Sequence, residues 1–159
     1  MLDQTIFCAT FAAAVGSGLV AGIFYAFSSF VMGALGRLPA AHGIEAMQAI
    51  NLVVINRSFI LAFFGTAILC CGLLVATYMR WSDGSSKLLL LGSLLYLIGT
   101  IAVTMVFNVP LNNALAAVRP ETPQAASVWA HYLERWTMWN TVRTVAPTAS
   151  MILFIAALP

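Results

Sequence analysis

The sequence predicts an all-α protein, a bundle of four transmembrane helices with two long same-side connections containing short amphipathic helices. Three observations lead there. Hydrophobic residues make up 62% of the chain and charged residues 8%, against about 45–50% and about 25% in soluble domains, which is too little charge to cover a water-exposed surface. The few charges fall so that four apolar stretches remain, each close to the roughly 20 residues that a helix needs to cross a hydrocarbon core about 30 Å thick. One short and two long connections join these stretches. A length of 159 residues is that of a single domain.

The elements follow in order. Residues 4–36 carry no charge, and 6–35 are apolar enough to span even when tilted. This run is too long for a signal-peptide core and has no basic leader, so it reads as a retained first helix. Residues 58–79 form the second helix. Residues 88–118 are again uncharged, but Pro110 with Asn112 and Asn113 is expected to end the regular segment near Val109, giving a third helix over 88–109. Little chain follows Arg143, so the fourth helix must start near Trp139 and run over 139–158, with Arg143 about one turn inside the apolar zone. Helices are required because an open strand would leave backbone groups unpaired in lipid.

The connection 81–86 reads as a tight turn flanked by Arg80 and Lys87. In 36–57, Pro39 opens a segment in which Ile44, Met47, Ile50 and Ile55 recur opposite Glu45, Gln48 and Asn51, the pattern of an interfacial amphipathic helix. In 110–138, Thr122 as cap and Pro123 as first residue mark a helix start that runs on into the fourth span. With four crossings, both long connections lie at one membrane face. The literal arginine count puts that face in the cytoplasm; setting aside Arg57 and Arg143 leaves three cations against two, too narrow a margin to orient the chain. Gly18 and Gly22, with Gly16 nearby, form a small-residue pair that admits a neighbouring helix or a second copy in a homo-oligomer. Cys8, Cys70 and Cys71 sit in apolar runs and read as packing side chains.

Polar residues inside these spans need an account. Tyr96, Thr100, Thr104 and Asn108 recur every four residues, and Asn112 continues the stripe. The first helix ends with Tyr25, Ser28 and Ser29 among Phe24, Phe27 and Met32. Gln48, Asn51, Asn56 and Arg57 precede the second, and Trp129, His131, Tyr132, Trp136, Trp139, Asn140 and Arg143 lead into the fourth. All gather at the face of the long connections. An intramembrane arginine marks a functional site by default, against snorkelling to headgroups as the alternative. Pro147 removes the N–H that would bond the Arg143 carbonyl. The tryptophans fit an interfacial belt or an aromatic-lined pocket equally. His131 with Glu134, and His42 with Glu45, are surface pairs unless the two connections join to hold a metal.

The segments GLVAGIFYAFSSFVMGAL (18–35), MQAIN (47–51), TMVFNVPLNNAL (104–115) and WAHYLERWTMWNTVRT (129–144), in this order, resemble the anthrone oxygenase family of small four-helix membrane proteins. The resemblance draws attention to Asn51, Asn108, Pro110, Asn112, Trp139, Asn140 and Arg143. One departure is Thr141, where many relatives carry a histidine; were that histidine a base, His131 would be the nearest substitute here. What the resemblance implies is oxidation of a hydrophobic, anthrone-like aromatic molecule, with molecular oxygen as co-substrate and no cofactor expected, a metal being left open. In that reading Arg143 with Asn140 or Asn108 stabilises an enolate, and His131 or Tyr25 relays the proton. Tyr25, Ser28, Asn51, Asn112, Trp136 and Trp139 bind the substrate with Phe24. The alternatives are a non-enzymatic membrane module that binds or transports a hydrophobic small molecule or lipid, and a structural subunit of a larger complex. Partners are the lipid bilayer and a hydrophobic small molecule. The net charge of +2 comes from scattered residues with no basic stripe, which excludes nucleic acid. A multi-pass position in the cell membrane is expected.

Overall fold

The computed structural model describes residues 4–79 and 84–159, and all regular structure among them is helical. Helix α1 is Gln4–Leu35, α2 is Ala40–Val53, α3 is Arg57–Met79, α4 is Ser86–Ala116 and α5 is Ala125–Ala157. Helices α1, α3 and α4 are long and apolar enough to cross a membrane. Helix α5 is longer still, but Glu134, Arg135, Asn140, Arg143 and a series of threonines dilute its apolar character. The turn expected over 81–86 falls largely outside the described residues.

Burial is distributed as a lipid solvent demands. Ser17, Thr66, Ser93, Thr100, Asn108, Asn140, Arg143 and Ser150 are buried, while Leu61, Ile68, Tyr78 and Met79 point outward. The polar groups face helix neighbours, where hydrogen bonds can satisfy them, and the apolar ones face the surroundings. Helix α1 packs on α3 and α5, and α4 packs on the same two helices. Close approach is tightest at two glycines: a methyl at Gly16 would overlap the Thr66 hydroxyl, and one at Gly99 would overlap Ala146. Of the expected pair, Gly18 lies close against α5, where a methyl would come within 2.8 Å of Met151 Sδ, whereas Gly22 has open space beside it.

A second apolar cluster closes one end. Met32 from α1, Ile44 and Met47 from α2, Leu115 from α4 and Ala125, Trp129, Tyr132 and Trp136 from α5 pack together. Both long connections therefore meet at the same end, as their lengths imply. Helix α2 is amphipathic as expected, but Gln48 is not on its solvated side; its amide donates to the carbonyls of Leu115 and Val118.

Two boundaries differ from expectation. Helix α4 does not end near Val109 but continues to Ala116. The reason lies in wide, π-type turns at Leu97–Ala102 and Thr104–Asn108. There the Val103 N–H bonds the Ile98 carbonyl and the Val109 N–H bonds the Thr104 carbonyl, each five residues back. Pro110 then sits in the first turn of the resumed α-helix, where a missing N–H costs least. Helix α5 begins at Ala125, not Pro123: residues 119–124 form turns in which the Thr122 hydroxyl donates to the Arg119 carbonyl and the Ala125 N–H donates to the Thr122 carbonyl. It runs unbroken through Pro147, so the last two predicted segments are one helix.

Candidate functional site

A cavity of about 210 Å3 opens beside the second cluster, walled by all five helices. Phe24 and Phe27 come from α1, Met47 and Asn51 from α2, Phe59 and Phe63 from α3, Thr104 and Asn112 from α4, and Trp136 and Arg143 from α5. No Asp, Glu or His is among its wall residues.

Arg143 is 4% exposed, so it does not snorkel. Its guanidinium carbon lies 4.3 Å from the centroid of the Phe24 ring and 5.0 Å from that of Trp136. Such contacts are worth about 2 kcal/mol when desolvated, which offsets part of the cost of burying a cation. Nη2 donates to Asn140 Oδ1 at 2.8 Å and Nη1 to Thr104 Oγ1 at 3.4 Å. Nε is buried with no partner. The guanidinium thus meets neutral oxygens, not a carboxylate, and keeps donor capacity in hand.

Asn140 is fully buried and links two helices, since its Nδ2 donates to the Phe24 carbonyl at 2.7 Å and to Ser28 Oγ at 2.8 Å. Helix α1 has its own wide turn at Phe27–Val31, where the Met32 N–H bonds the Phe27 carbonyl. Thr104 donates to the Thr100 carbonyl while accepting from Arg143, which uses its one proton and one lone pair. Asn112 Oδ1 accepts from Tyr132 at 2.8 Å and from the Trp136 indole at 2.7 Å. Asn51 faces the same tyrosine.

The structure therefore brings Arg143, Asn51, Asn112 and Trp136 to the cavity wall, with Asn140 behind Arg143, while Ser28 bonds Asn140 but lines a separate depression with Thr141. Asn108 lies behind the cavity wall, fully buried, with Nδ2 donating to the Trp136 carbonyl at 3.2 Å and Oδ1 unpartnered. Three expected residues lie elsewhere. Trp139 stacks on Phe107 with centroids 3.6 Å apart, on another side of α5. Tyr25 is 62% exposed and points away, because Phe24 occupies the inward position of that turn. His131 is exposed, and the helical rise puts it about 18 Å along the axis from Arg143. Thr141 is exposed as well, bonded to Ser28 and to the Thr137 carbonyl outside the cavity. His42, Glu45, His131 and Glu134 remain apart, and among the described residues no three potential metal ligands converge.

Sequence reasoning missed the α3 wall. Phe59 and Phe63, stacked with centroids 5.3 Å apart, were not singled out, although two phenylalanines four apart at a helix start are a usable signal. Asn56 and Arg57 are exposed; Asn56 Oδ1 accepts the Phe59 N–H and caps α3.

Among the described residues, apolar helices, three of them long and apolar enough to cross a membrane, enclose a buried guanidinium beside an aromatic cavity, the architecture of a membrane-type helical protein. The anthrone oxygenase family model matches residues 57–153, more than half of the chain, and the chain belongs to that family. The match contains Asn108, Asn112, Asn140 and Arg143, while α1 and α2 lie outside it. No curated protein and no solved structure matches the chain.

Proposed function

We propose that the chain crosses a cell membrane four times, through α1, α3, α4 and α5, and that its cavity binds a hydrophobic aromatic molecule of the anthrone type for oxidation by molecular oxygen. The observation that carries this reading is the Arg143 guanidinium, buried between two aromatic faces with neutral partners and an unmade N–H bond. An anthrone has a weakly acidic methylene; losing a proton there places negative charge on the ring carbonyl oxygen. A desolvated guanidinium aimed at that oxygen stabilises the anion, and the surrounding rings exclude water. With no Asp, Glu or His in the wall, the proton leaves to water, and Arg143 acts by making the methylene more acidic. The carbanion carbon then bonds to oxygen. In sum the methylene gives up two hydrogens and gains one oxygen atom, and the second oxygen atom leaves as water.

The test is anthrone conversion to anthraquinone by the purified chain in lipid nanodiscs. Arg143→Gln should lower the rate by about 100-fold or more, the loss typical of one oxyanion donor, while anthraquinone binding persists. Wild-type protein that leaves anthrone at its uncatalysed rate overturns the reading. The apolar α3 wall favours a second reading, a module that binds an apolar anion without turnover; there Arg143→Gln loses affinity instead.

A further inference from the structure

The cavity reaches the outside of the protein between α3 and α4. Ile60 and Phe64 of α3 and Met105 of α4 line it and are also 38%, 37% and 47% exposed. Below that point the two helices are joined, α3 packing on Ser86–Tyr96 and the Tyr96 hydroxyl donating to the Phe63 carbonyl at 2.9 Å. Beyond Tyr96 the wide turns of α4 pack on α5, and a cleft opens above the Tyr96–Phe63 bond. Its lips carry no polar side chain. They belong to helices long and apolar enough to cross a membrane, and on the four-crossing reading proposed above the cleft would face hydrocarbon.

A second cavity adjoins the first on the side of the long connections. It shares Asn51, Ile55, Val109 and Asn112 with the first and adds Gln48, Leu52, Asn113 and Ala116. Its four amides give water and protons partners that the lips between α3 and α4 lack.

We infer that the ligand enters and leaves sideways from the bilayer, between α3 and α4, with Ile60 and Phe64 as one lip and Met105 as the other. The inference rests on the reading of the cavity as a ligand site and adds the ligand's class and route. The ligand is a flat, lipid-dissolved molecule with one ionisable oxygen, which enters oxygen first toward Arg143. Met105, unbranched and flexible, is the lip able to swing aside. The amide-lined outlet carries water and protons.

Cysteine protection in phosphatidylcholine nanodiscs tests this. In a full-length background with Cys8, Cys70 and Cys71 replaced by Ala, the variants are Ile60→Cys, Met105→Cys, Asn113→Cys and Tyr78→Cys. All four positions are exposed, and because Cys70 is fully buried, each variant is first checked for a wild-type-like thermal melt. The reagent is membrane-dissolved N-pyrenylmaleimide, with a water-soluble maleimide at position 113, and the probe is 1-naphthol. At ten times its dissociation constant, 1-naphthol should slow labelling at 60 and 105 by about tenfold and leave 78 unchanged. No slowing at either lip, equal slowing at 78, or slowing confined to 113 overturns the sideways route. The readout needs occupancy alone. Protection without anthrone turnover removes only the oxidation reading, and turnover without protection removes only the route.

Discussion

Asn140 accepts the Arg143 Nη2–H on Oδ1 at 2.8 Å and through its other amide atom donates to the Phe24 carbonyl at 2.7 Å. The guanidinium is therefore held by α1 as well as by its own helix, and the Phe24 ring lies against it from the same turn. One side chain sets both where the cation sits and which ring covers it.

Asn140→Leu should unfold at lower temperature in detergent, because it strands a charged donor and a buried carbonyl at about 1–3 kcal/mol each. Asn140→Asp separates stability from function. A carboxylate there satisfies the Arg143 cation internally but has no N–H for the Phe24 carbonyl, so the variant should also melt below wild type, and it should lower anthrone turnover more than thermal destabilisation accounts for at a temperature where it stays folded. Undiminished turnover in the folded variant would show that Arg143 does not act on the substrate.

Asn112 is one acceptor for two donors, Tyr132 and Trp136. Asn112→Leu should cost more than Trp136→Phe, since it leaves two buried donors unmatched at about 1–3 kcal/mol apiece. The two changes share a bond, so a double-mutant cycle read by denaturant unfolding should show a coupling of about 0.5–3 kcal/mol. Strict additivity would rule out the shared acceptor.

Gly16 and Gly99 mark where α1 meets α3 and where α4 meets α5. Gly16→Leu and Gly99→Leu should each destabilise by about 1–3 kcal/mol or more, because backbones must move apart. Gly22→Leu, with open space beside it, should change stability by no more than about 0.5 kcal/mol. Thermal melts of the three variants in one detergent decide the matter.

His131→Ala and Tyr25→Phe should leave anthrone turnover unchanged. With no Asp, Glu or His in the cavity wall, the rate should rise with pH as the substrate ionises, and show no inflection near the ordinary histidine value of about 6.5. A pH–rate profile with such an inflection, abolished in His131→Ala, would return the imidazole to the chemistry.

What the sequence disclosed follows from what it encodes locally. Charge placement located α1, α3 and α4 because a single charge in lipid is costly at any rotation. The four-residue spacing of Thr100, Thr104, Asn108 and Asn112 located the polar stripe on α4, since helix periodicity is local too. Which of two adjacent residues faces inward depends on a partner distant in sequence. Phe24 and not Tyr25 points inward because Asn140 binds the Phe24 carbonyl. Trp139 went to Phe107 because both lie on flanks that meet only in the fold. The π-type turns have no compositional mark, which is why Pro110 was read as an end.

Those turns constrain insertions and deletions. Each widened turn holds one extra residue, and an α-helix advances about 100° per residue. Deleting a residue within Phe27–Val31 would tighten the coil to ordinary pitch and swing every side chain beyond it to a new azimuth. Spacing between anchors is thus as binding for this molecule as the identity of the anchors, and variants that shorten α1 or α4 by one residue should fare worse than those that exchange most lipid-facing side chains.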